Sequence, residues 1–394
     1  MKYGSGHWVG HVADCHARRP TIMRSNVVGN PERAGVRRAD QGIQTFRGIA
    51  VVLMVAGHVI GGESTVGLTV SDDSGWRFFY AALADLRMPL FAVLSGYVYA
   101  YRPVRFPADL GRLLTGKIRR LIVPFLVVGT VFYAVRMVAP GVNVRPRLAE
   151  FPEAMIYGFA HLWFLQAIFL IFLTVGLLDA HGVLASYRSW AVVTLCSMAL
   201  FILVWVPDQV AVFSLNGALR LLPFFLLGYG AHRYAAQLLR PALGIAATVA
   251  FVPVYGLRLW AIATDVVWPD MVVRAHSVAV AALLVVTLLA VRRHLESPAL
   301  SWLGGFSFAI YLLHVFGAAG ARALATHLGV ESNPVLFAFG MIAGIGLPIL
   351  FELTFGRFRP ISWAVLGQRP RRRPSADALA APEPVRPEGA LPVR

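Results

Sequence analysis

An apolar stretch near the N-terminus, residues 44–62, reads QTFRGIAVVLMVAGHVIGG and decides the fold. It is long enough to cross a bilayer as a helix, which needs roughly 20 residues. Lipid offers no partner for unpaired backbone groups, so we expect a helix here. Comparable segments recur along the chain, at 44–62, 81–101, 120–138, 162–178, 189–206, 215–231, 242–262, 276–291, 300–320 and 335–354. The sequence therefore predicts an all-α, polytopic integral membrane protein with about ten transmembrane helices.

The composition agrees with one membrane domain better than with several soluble ones. Of the 394 residues, 57% are hydrophobic and 14% are charged, whereas a soluble domain carries about 25% charged residues. The formal net charge of +16 does not indicate a nucleic-acid partner, because the excess lies in both tails and in alternate short loops. The two cysteines lack the spacing of a metal site. We therefore predict neither nucleic acid nor metal as a partner.

The distribution of Lys and Arg predicts the orientation. With the N-terminus inside, the inner loops carry eleven of these residues and the outer loops carry four, as the positive-inside rule requires. Both termini are then cytoplasmic, which needs an even number of crossings of the plasma membrane. We predict a disordered cytoplasmic tail at 1–43, a ten-helix membrane domain at 44–355, and a disordered basic cytoplasmic tail at 356–394.

Two polar residues share the first predicted helix. Arg47 lies at its inner end and His58 near its outer end. Eleven residues of helix separate them by about 16 Å and return them to nearly the same face. An Arg deep in the bilayer costs roughly 2.5–3.5 kcal/mol on insertion scales, so it tends to be kept for a function. We expect both side chains to face a shared passage through the protein.

Further polar residues gather in the predicted outer half. Asp85 and Arg87 begin the second segment, and Gln166, Tyr311 and His314 lie deeper. Together they form a candidate pocket for a hydroxylated acceptor: Asp85, Arg87, His161, Gln166, Arg220, Arg258, Tyr311 and His314. On the inner side lies a cationic cluster suited to phosphates: Arg47, Lys117, Arg119 and Arg120.

This arrangement points to acyl transfer to a hydroxyl. A hydroxyl is a weak nucleophile at neutral pH, and a histidine such as His58 can take its proton as attack begins. Acyl-CoA is the expected donor, with acetyl the expected acyl group, and its phosphates would bind the inner cations. A relay through acyl-His58 is the alternative mechanism. A transporter or flippase for a lipid-linked or polar solute is the alternative function, because the same buried cations would serve it. Arg47 and His58 also have simpler interpretations, as a positive-inside anchor and an interfacial histidine.

Six motifs occur in a fixed order along the chain. They are Arg47-GIAVVLMVAG-His58, RMPLFAVLSGYVYAY at 87–101, KIRRLIVPF at 117–125, HLWFL at 161–165, LPFFLLGY at 222–229 and FSFAIYLLH at 306–314. In this order they resemble the acyltransferase family 3 membrane proteins, over roughly residues 44–355. Gly96 in the second motif is a small residue of the kind that lets helices approach closely in lipid.

The resemblance implies a function and assigns roles. It implies a ten-helix core in the bacterial inner membrane that O-acylates a surface polysaccharide, lipopolysaccharide or related glycolipid from cytoplasmic acyl-CoA. It identifies Arg47 and His58 as the family's Arg/Lys-x10-His pair, with the histidine essential. Lys117 and Arg120 occupy its Arg-x-x-Arg motif, with Lys in place of the first Arg. Lysine keeps the charge but loses the bidentate fork of arginine, so donor affinity or acyl preference is expected to differ.

Overall fold

The computed structural model describes residues 31–139, 145–207, 210–238, 240–292 and 294–368, with side chains described from residue 41 onward. The regular structure within these ranges is helical. Its helices are α1 (Pro31–Ile60), α2 (Gly75–Tyr99), α3 (Leu110–Lys117), α4 (Val123–Val138), α5 (Phe151–Tyr157), α6 (Trp163–Ala180), α7 (Tyr187–Leu203), α8 (Leu215–Arg233), α9 (Ala235–Leu238), α10 (Pro241–Ala263), α11 (Asp270–Val291), α12 (Pro298–Gly305), α13 (Ser307–His327), α14 (Asn333–Phe355) and α15 (Arg359–Ala364).

Most of these helices belong to membrane-crossing segments. Within the described ranges, nine segments are long and apolar enough to span a bilayer: Gln41–Ile60, Gly75–Tyr99, Pro107–Val138, Leu148–Ala180, Val212–Arg233, Pro241–Ala263, Asp270–Val291, Ser307–His327 and Asn333–Phe355. The remaining predicted segment is α7, with 17 residues, at the short end of the range of about 17–25 for a transmembrane helix. All ten predicted segments are therefore helical, and the protein is a polytopic helical membrane protein.

Several boundaries differ from the prediction. The segment predicted at 300–320 is two helices, because the chain turns at Phe306, after Gly304 and Gly305, and the span is Ser307–His327. Residues 31–43, assigned to the N-terminal tail, belong to α1. The predicted C-terminal tail begins with α15. The rest of the two tails, 1–30 and 369–394, lies outside the described residues.

Helices α2 and α8 cross at a pair of glycines. A Cβ atom on Gly96 would lie 1.9 Å from the Phe225 carbonyl oxygen, and one on Gly228 would lie 1.9 Å from the Val93 carbonyl oxygen. No side chain fits in either place, so each glycine admits the backbone of the other helix. The predicted packing role of Gly96 is confirmed.

This crossing gives a first testable prediction. Gly96→Ala or Gly228→Ala must push two backbones apart, which we expect to destabilise the protein by about 1–3 kcal/mol. The matched control is Gly256→Ala in α10, where an added Cβ meets nothing within 4 Å. Thermal unfolding in detergent should show a lower midpoint for the first two variants only. Equal midpoints for all three would contradict the close crossing.

Helix α1 is held on two sides by glycine contacts. An added Cβ on Gly304 of α12 would lie 2.0 Å from the Gln44 carbonyl oxygen, and one on Gly340 of α14 would lie 2.7 Å from a Val59 methyl. Among the nine described spans, α1 has the largest buried share, 67%. It is therefore a central helix, which fixes Arg47 and His58 inside the bundle.

Candidate active site

Three histidines from distant parts of the sequence meet beside α1. His58 of α1, His161 of the turn before α6, and His314 of α13 form what we call the histidine cluster. The ring centroids of His58 and His314 are 4.8 Å apart, those of His161 and His314 are 4.9 Å apart, and those of His58 and His161 are 6.2 Å apart. Across the described residues, no group of three or more His, Cys, Asp or Glu side chains is arranged to hold a metal ion. The cluster is a set of imidazoles suited to proton transfer.

The turn that carries His161 has an unusual backbone. Gly158 has φ +94° and Ala160 has φ +47°, and a left-handed conformation costs a non-glycine residue roughly 1–2 kcal/mol. The Tyr311 hydroxyl donates a hydrogen bond to the His161 carbonyl oxygen at 2.5 Å. This contact from α13 holds the turn in place and aims the His161 ring at the cluster.

The hydrogen bond of His58 determines which of its nitrogens is basic. Its Nδ1 lies 2.9 Å from the Met54 carbonyl oxygen. A carbonyl can only accept, so Nδ1 carries the hydrogen and Nε2 of the neutral ring keeps a free lone pair. The ring packs against two buried rings, yet the residue as a whole is exposed. His58 thus presents a basic nitrogen that has no described hydrogen-bond partner, on a ring that packs against the other two histidines.

The other two histidines are held in the same way. His161 Nε2 donates to the Leu312 carbonyl oxygen at 3.2 Å, and His314 Nδ1 donates to the carbonyl oxygens of Ile310 and Tyr311 at 3.0 and 2.9 Å. The opposite nitrogens, His161 Nδ1 and His314 Nε2, are buried without a hydrogen-bond partner. Buried polar atoms are nearly always satisfied. Two acceptors without donors are therefore ready to receive hydrogen bonds from a hydroxylated ligand.

Charged residues of three helices, α2, α8 and α10, form a second group, which we call the arginine cluster: Asp85, Arg87, Arg220 and Arg258. Asp85 accepts a hydrogen bond from Ser277 Oγ at 2.7 Å and pairs with Arg258 Nε at 3.2 Å. Arg220 is close enough to Asp85 and Arg87 for both charges to act on it. The structure thus brings together four of the residues predicted to line the acceptor pocket.

The predicted positions of Asp85 and Arg87 need correction. They do not begin the second helix, because α2 starts at Gly75, where the Ser74 hydroxyl accepts a hydrogen bond from the Arg77 amide. Arg87 is twelve residues into α2, which places it about 18 Å from the start of the helix. It is only 8% exposed. Arg87 is therefore well inside the membrane-crossing part of α2.

Arg87 connects the arginine cluster to the histidine cluster. A Cβ atom on Gly57 would lie 1.4 Å from Arg87 Nη1, so the guanidinium occupies the space that a side chain at residue 57 would fill. Its other neighbour is the ring of Tyr80, whose centroid is 4.3 Å from Arg87 Cζ. A cation thus touches α1 one residue before His58.

The inner cations differ from one another in burial and in their contacts. Lys117 Nζ lies 3.1 Å from the centroid of the Phe172 ring in α6, whereas Arg120 is exposed. Directly after Lys117 the chain forms a π-helical turn, Ile118–Ile122, which carries Arg119 and Arg120. Such turns are rare and are frequent at functional sites. Arg47 is half-buried, and its Nη1 approaches Gln44 Oε1 at 3.5 Å.

The passage expected between Arg47 and His58 is closed in this structure. Val51 and Met54 lie between them on the same face of α1, and neither is more than 1% exposed. Packed apolar side chains therefore fill this face.

Gln166, another of the predicted pocket residues, lies outside both clusters. Its Nε2 donates to the Met155 carbonyl oxygen at 2.8 Å, and its Oε1 accepts from Ser214 Oγ at 2.7 Å. The side chain is fully buried. Both ends of the amide are thus engaged in joining α5 to the turn before α8.

Comparison with known proteins identifies the family. A family model described as an acyltransferase domain matches residues 40–353. This range contains both clusters and the inner cations. A search of curated proteins and a search of solved structures found no match. The chain belongs to the acyltransferase family 3, and it is an acyltransferase built from membrane-crossing helices.

Proposed function

We propose that the protein is a membrane-bound O-acyltransferase of the plasma membrane, with both termini in the cytoplasm. It moves an acyl group, acetyl by expectation, from cytoplasmic acyl-CoA to a hydroxyl of a carbohydrate or glycolipid acceptor at the extracytoplasmic side. The observation that carries the proposal is the state of His58. Its Nδ1 is bound to the Met54 carbonyl, which leaves the lone pair of Nε2 without a described partner beside His161 and His314.

His58 supplies the general base in this mechanism. The acceptor hydroxyl donates its hydrogen to His58 Nε2 while its oxygen attacks the thioester carbonyl, so the proton passes to the imidazole as the new C–O bond forms. The C–S bond then breaks, and the CoA thiolate takes up the proton. The bond from Nδ1 to Met54 O holds the ring and remains in place when the ring becomes charged. The net change is a new ester and free CoA.

The inner cations bind the donor in this proposal. Arg47, Lys117, Arg119 and Arg120 offer charge for the CoA phosphates. The thioester must then travel about 16 Å along α1 to reach His58. The narrow pantetheine arm has to part Val51 and Met54 from their neighbours, so donor binding and opening of the passage are coupled.

The closed passage is also the observation that favours transport as a second candidate. A transporter or flippase holds its path closed on one side at a time, and buried arginines would bind an anionic solute. Such a protein would have no use for the thioester of acyl-CoA. Binding of acyl-CoA therefore separates the two candidates.

Thermal unfolding of the purified full chain with acetyl-CoA tests the donor. A ligand at 100 times its Kd raises the free energy of unfolding by about 2.7 kcal/mol, so we expect a clear rise in the midpoint. Lys117→Gln and Arg120→Gln should reduce this rise. The matched control is Arg112→Gln, at a side chain that is 84% exposed on α3. A midpoint that stays unchanged at saturating acetyl-CoA would contradict the proposal and favour transport.

A further inference from the structure

The arginine cluster narrows the chemistry of the acceptor. We propose that the acceptor carries an oxyanion, a phosphate or a carboxylate, and that Arg87 and Arg220 bind it next to the histidine cluster. This inference rests on the proposed function and adds a substrate class to it.

The first argument is the charge balance. The cluster holds three guanidinium groups and one carboxylate, which leaves an excess of two positive charges. Both oxygens of Asp85 are already engaged, by Ser277 and Arg258. Among the described ion pairs, none involves Arg87 or Arg220. The one carboxylate of the cluster thus pairs directly with Arg258 and acts on Arg220 without a direct ion pair, which leaves an excess of two positive charges for a partner of opposite charge.

The second argument is depth. Arg87 is 8% exposed and lies about 18 Å along α2 from its first residue. Headgroup phosphates of the surrounding bilayer stay at the surface and do not reach a buried side chain at this depth. A charged side chain inside a membrane protein faces an interior site and has a partner there. An anion brought in by the substrate is the partner that fits.

The third argument is the position relative to His58. Arg87 Nη1 occupies the space beside Gly57, so an oxyanion bound to this guanidinium would lie close to His58. The unpartnered atoms His161 Nδ1 and His314 Nε2 add two hydrogen-bond acceptors on rings that pack against His58. Guanidinium forks bind carboxylate and phosphate with paired hydrogen bonds. The site is therefore suited to a polyhydroxylated anion, such as an acidic sugar or a sugar phosphate.

The charge of the acylated product tests this inference. Extracts of cells that express the wild-type chain are compared by mass spectrometry with extracts of cells that express His58→Ala. Species that are heavier by one acyl group in the wild-type extract are then passed over an anion exchanger at neutral pH. We expect the acylated species to be retained. If the anion is a terminal phosphate, phosphatase treatment should abolish their retention on the exchanger. If the anion is a carboxylate, chemical reduction of the carboxyl group should abolish it. An acylated product that is neutral would overturn the anionic acceptor and leave acyl transfer intact, whereas the absence of any acylated species would overturn both.

A variant of Arg220 separates binding from a structural role. Arg220→Gln removes one of the unmatched charges, so we expect at least a tenfold loss of acylated product with an unfolding midpoint that is unchanged or higher. Arg220→Lys should restore part of the product. The matched control is Arg274→Gln, at an arginine that stacks on Trp205 at 4.8 Å outside the cluster, and it should keep full product. Full product in Arg220→Gln would overturn the proposed role of Arg220 in acceptor binding. A fall in the unfolding midpoint large enough to explain the loss of product would overturn it as well.

Discussion

Replacing His58 by alanine is expected to reduce acyl transfer by at least about 10²–10⁴-fold, the range that a positioned general base contributes. The reason is geometric, because His58 Nε2 is the basic nitrogen of the one exposed residue in the histidine cluster, and its ring packs against the rings of the other two. We expect His58→Gln to be as inactive, since an amide cannot take up the proton. The measurement is the amount of acylated product per amount of protein in membranes.

The control for this prediction is another histidine with a similar hydrogen bond. His276 Nε2 lies 2.9 Å from the Val254 carbonyl oxygen, and its ring packs on Trp268 outside the cluster. His276→Ala should keep acyl transfer. Full activity in His58→Ala would remove the proposed role of His58. The relay alternative has its own signature, because the protein incubated with acetyl-CoA and no acceptor would then gain the mass of one acetyl group.

Replacing Asp85 by asparagine is expected to cause the largest loss of stability. Asp85 is 5% exposed and is the carboxylate of a cluster with three guanidinium groups. Removing one partner of a buried ion pair leaves an uncompensated charge and costs about 3–5 kcal/mol. Here the change also removes the negative charge that acts on Arg220. Thermal unfolding in detergent measures the effect.

A surface pair provides the comparison for Asp85. Asp109 and Arg112 lie 3.5 Å apart with side chains that are 36% and 84% exposed, and such exposed pairs contribute about 0–1 kcal/mol. The unfolding midpoint of Asp109→Asn should therefore be almost the same as that of the wild type. A similar midpoint for Asp85→Asn and Asp109→Asn would contradict the proposal that Asp85 stabilises the arginine cluster.

The helical architecture could be predicted because hydropathy and length are local properties. The predicted second segment begins at residue 81, six residues after the start of α2, because Arg77 lowers the mean hydropathy of the stretch GWRFFY at 75–80. The signal for the start of α2 was Ser74, an N-cap residue whose hydroxyl accepts from the Arg77 amide. The glycine pair 304–305 marks the break before Phe306 in the sequence, whereas the approach of the Gln44 carbonyl oxygen of α1 to Gly304 cannot be predicted from a local pattern.

The candidate site was predicted in part. Helical periodicity placed Arg47 and His58 on one face, and the polar residues His161 and His314 stood out against apolar surroundings. The partner Ser277 is not predicted, because only the packing of α2 against α11 brings it to Asp85. Tyr80 lies two turns before Arg87 on α2 itself, and it is not predicted because the predicted second segment begins at residue 81. The packed state of Val51 and Met54 likewise depends on neighbouring helices.

A structure with a non-hydrolysable acetyl-CoA analogue tests the central claim most directly. The measured quantity is the distance from the carbonyl carbon of the analogue to His58 Nε2. We expect the carbonyl to lie beside the histidine cluster, with room for one hydroxyl between it and Nε2, and with Val51 and Met54 moved from their packed positions. An analogue whose carbonyl remains at the inner surface near Lys117, with Val51 and Met54 still packed, would contradict acyl transfer at His58.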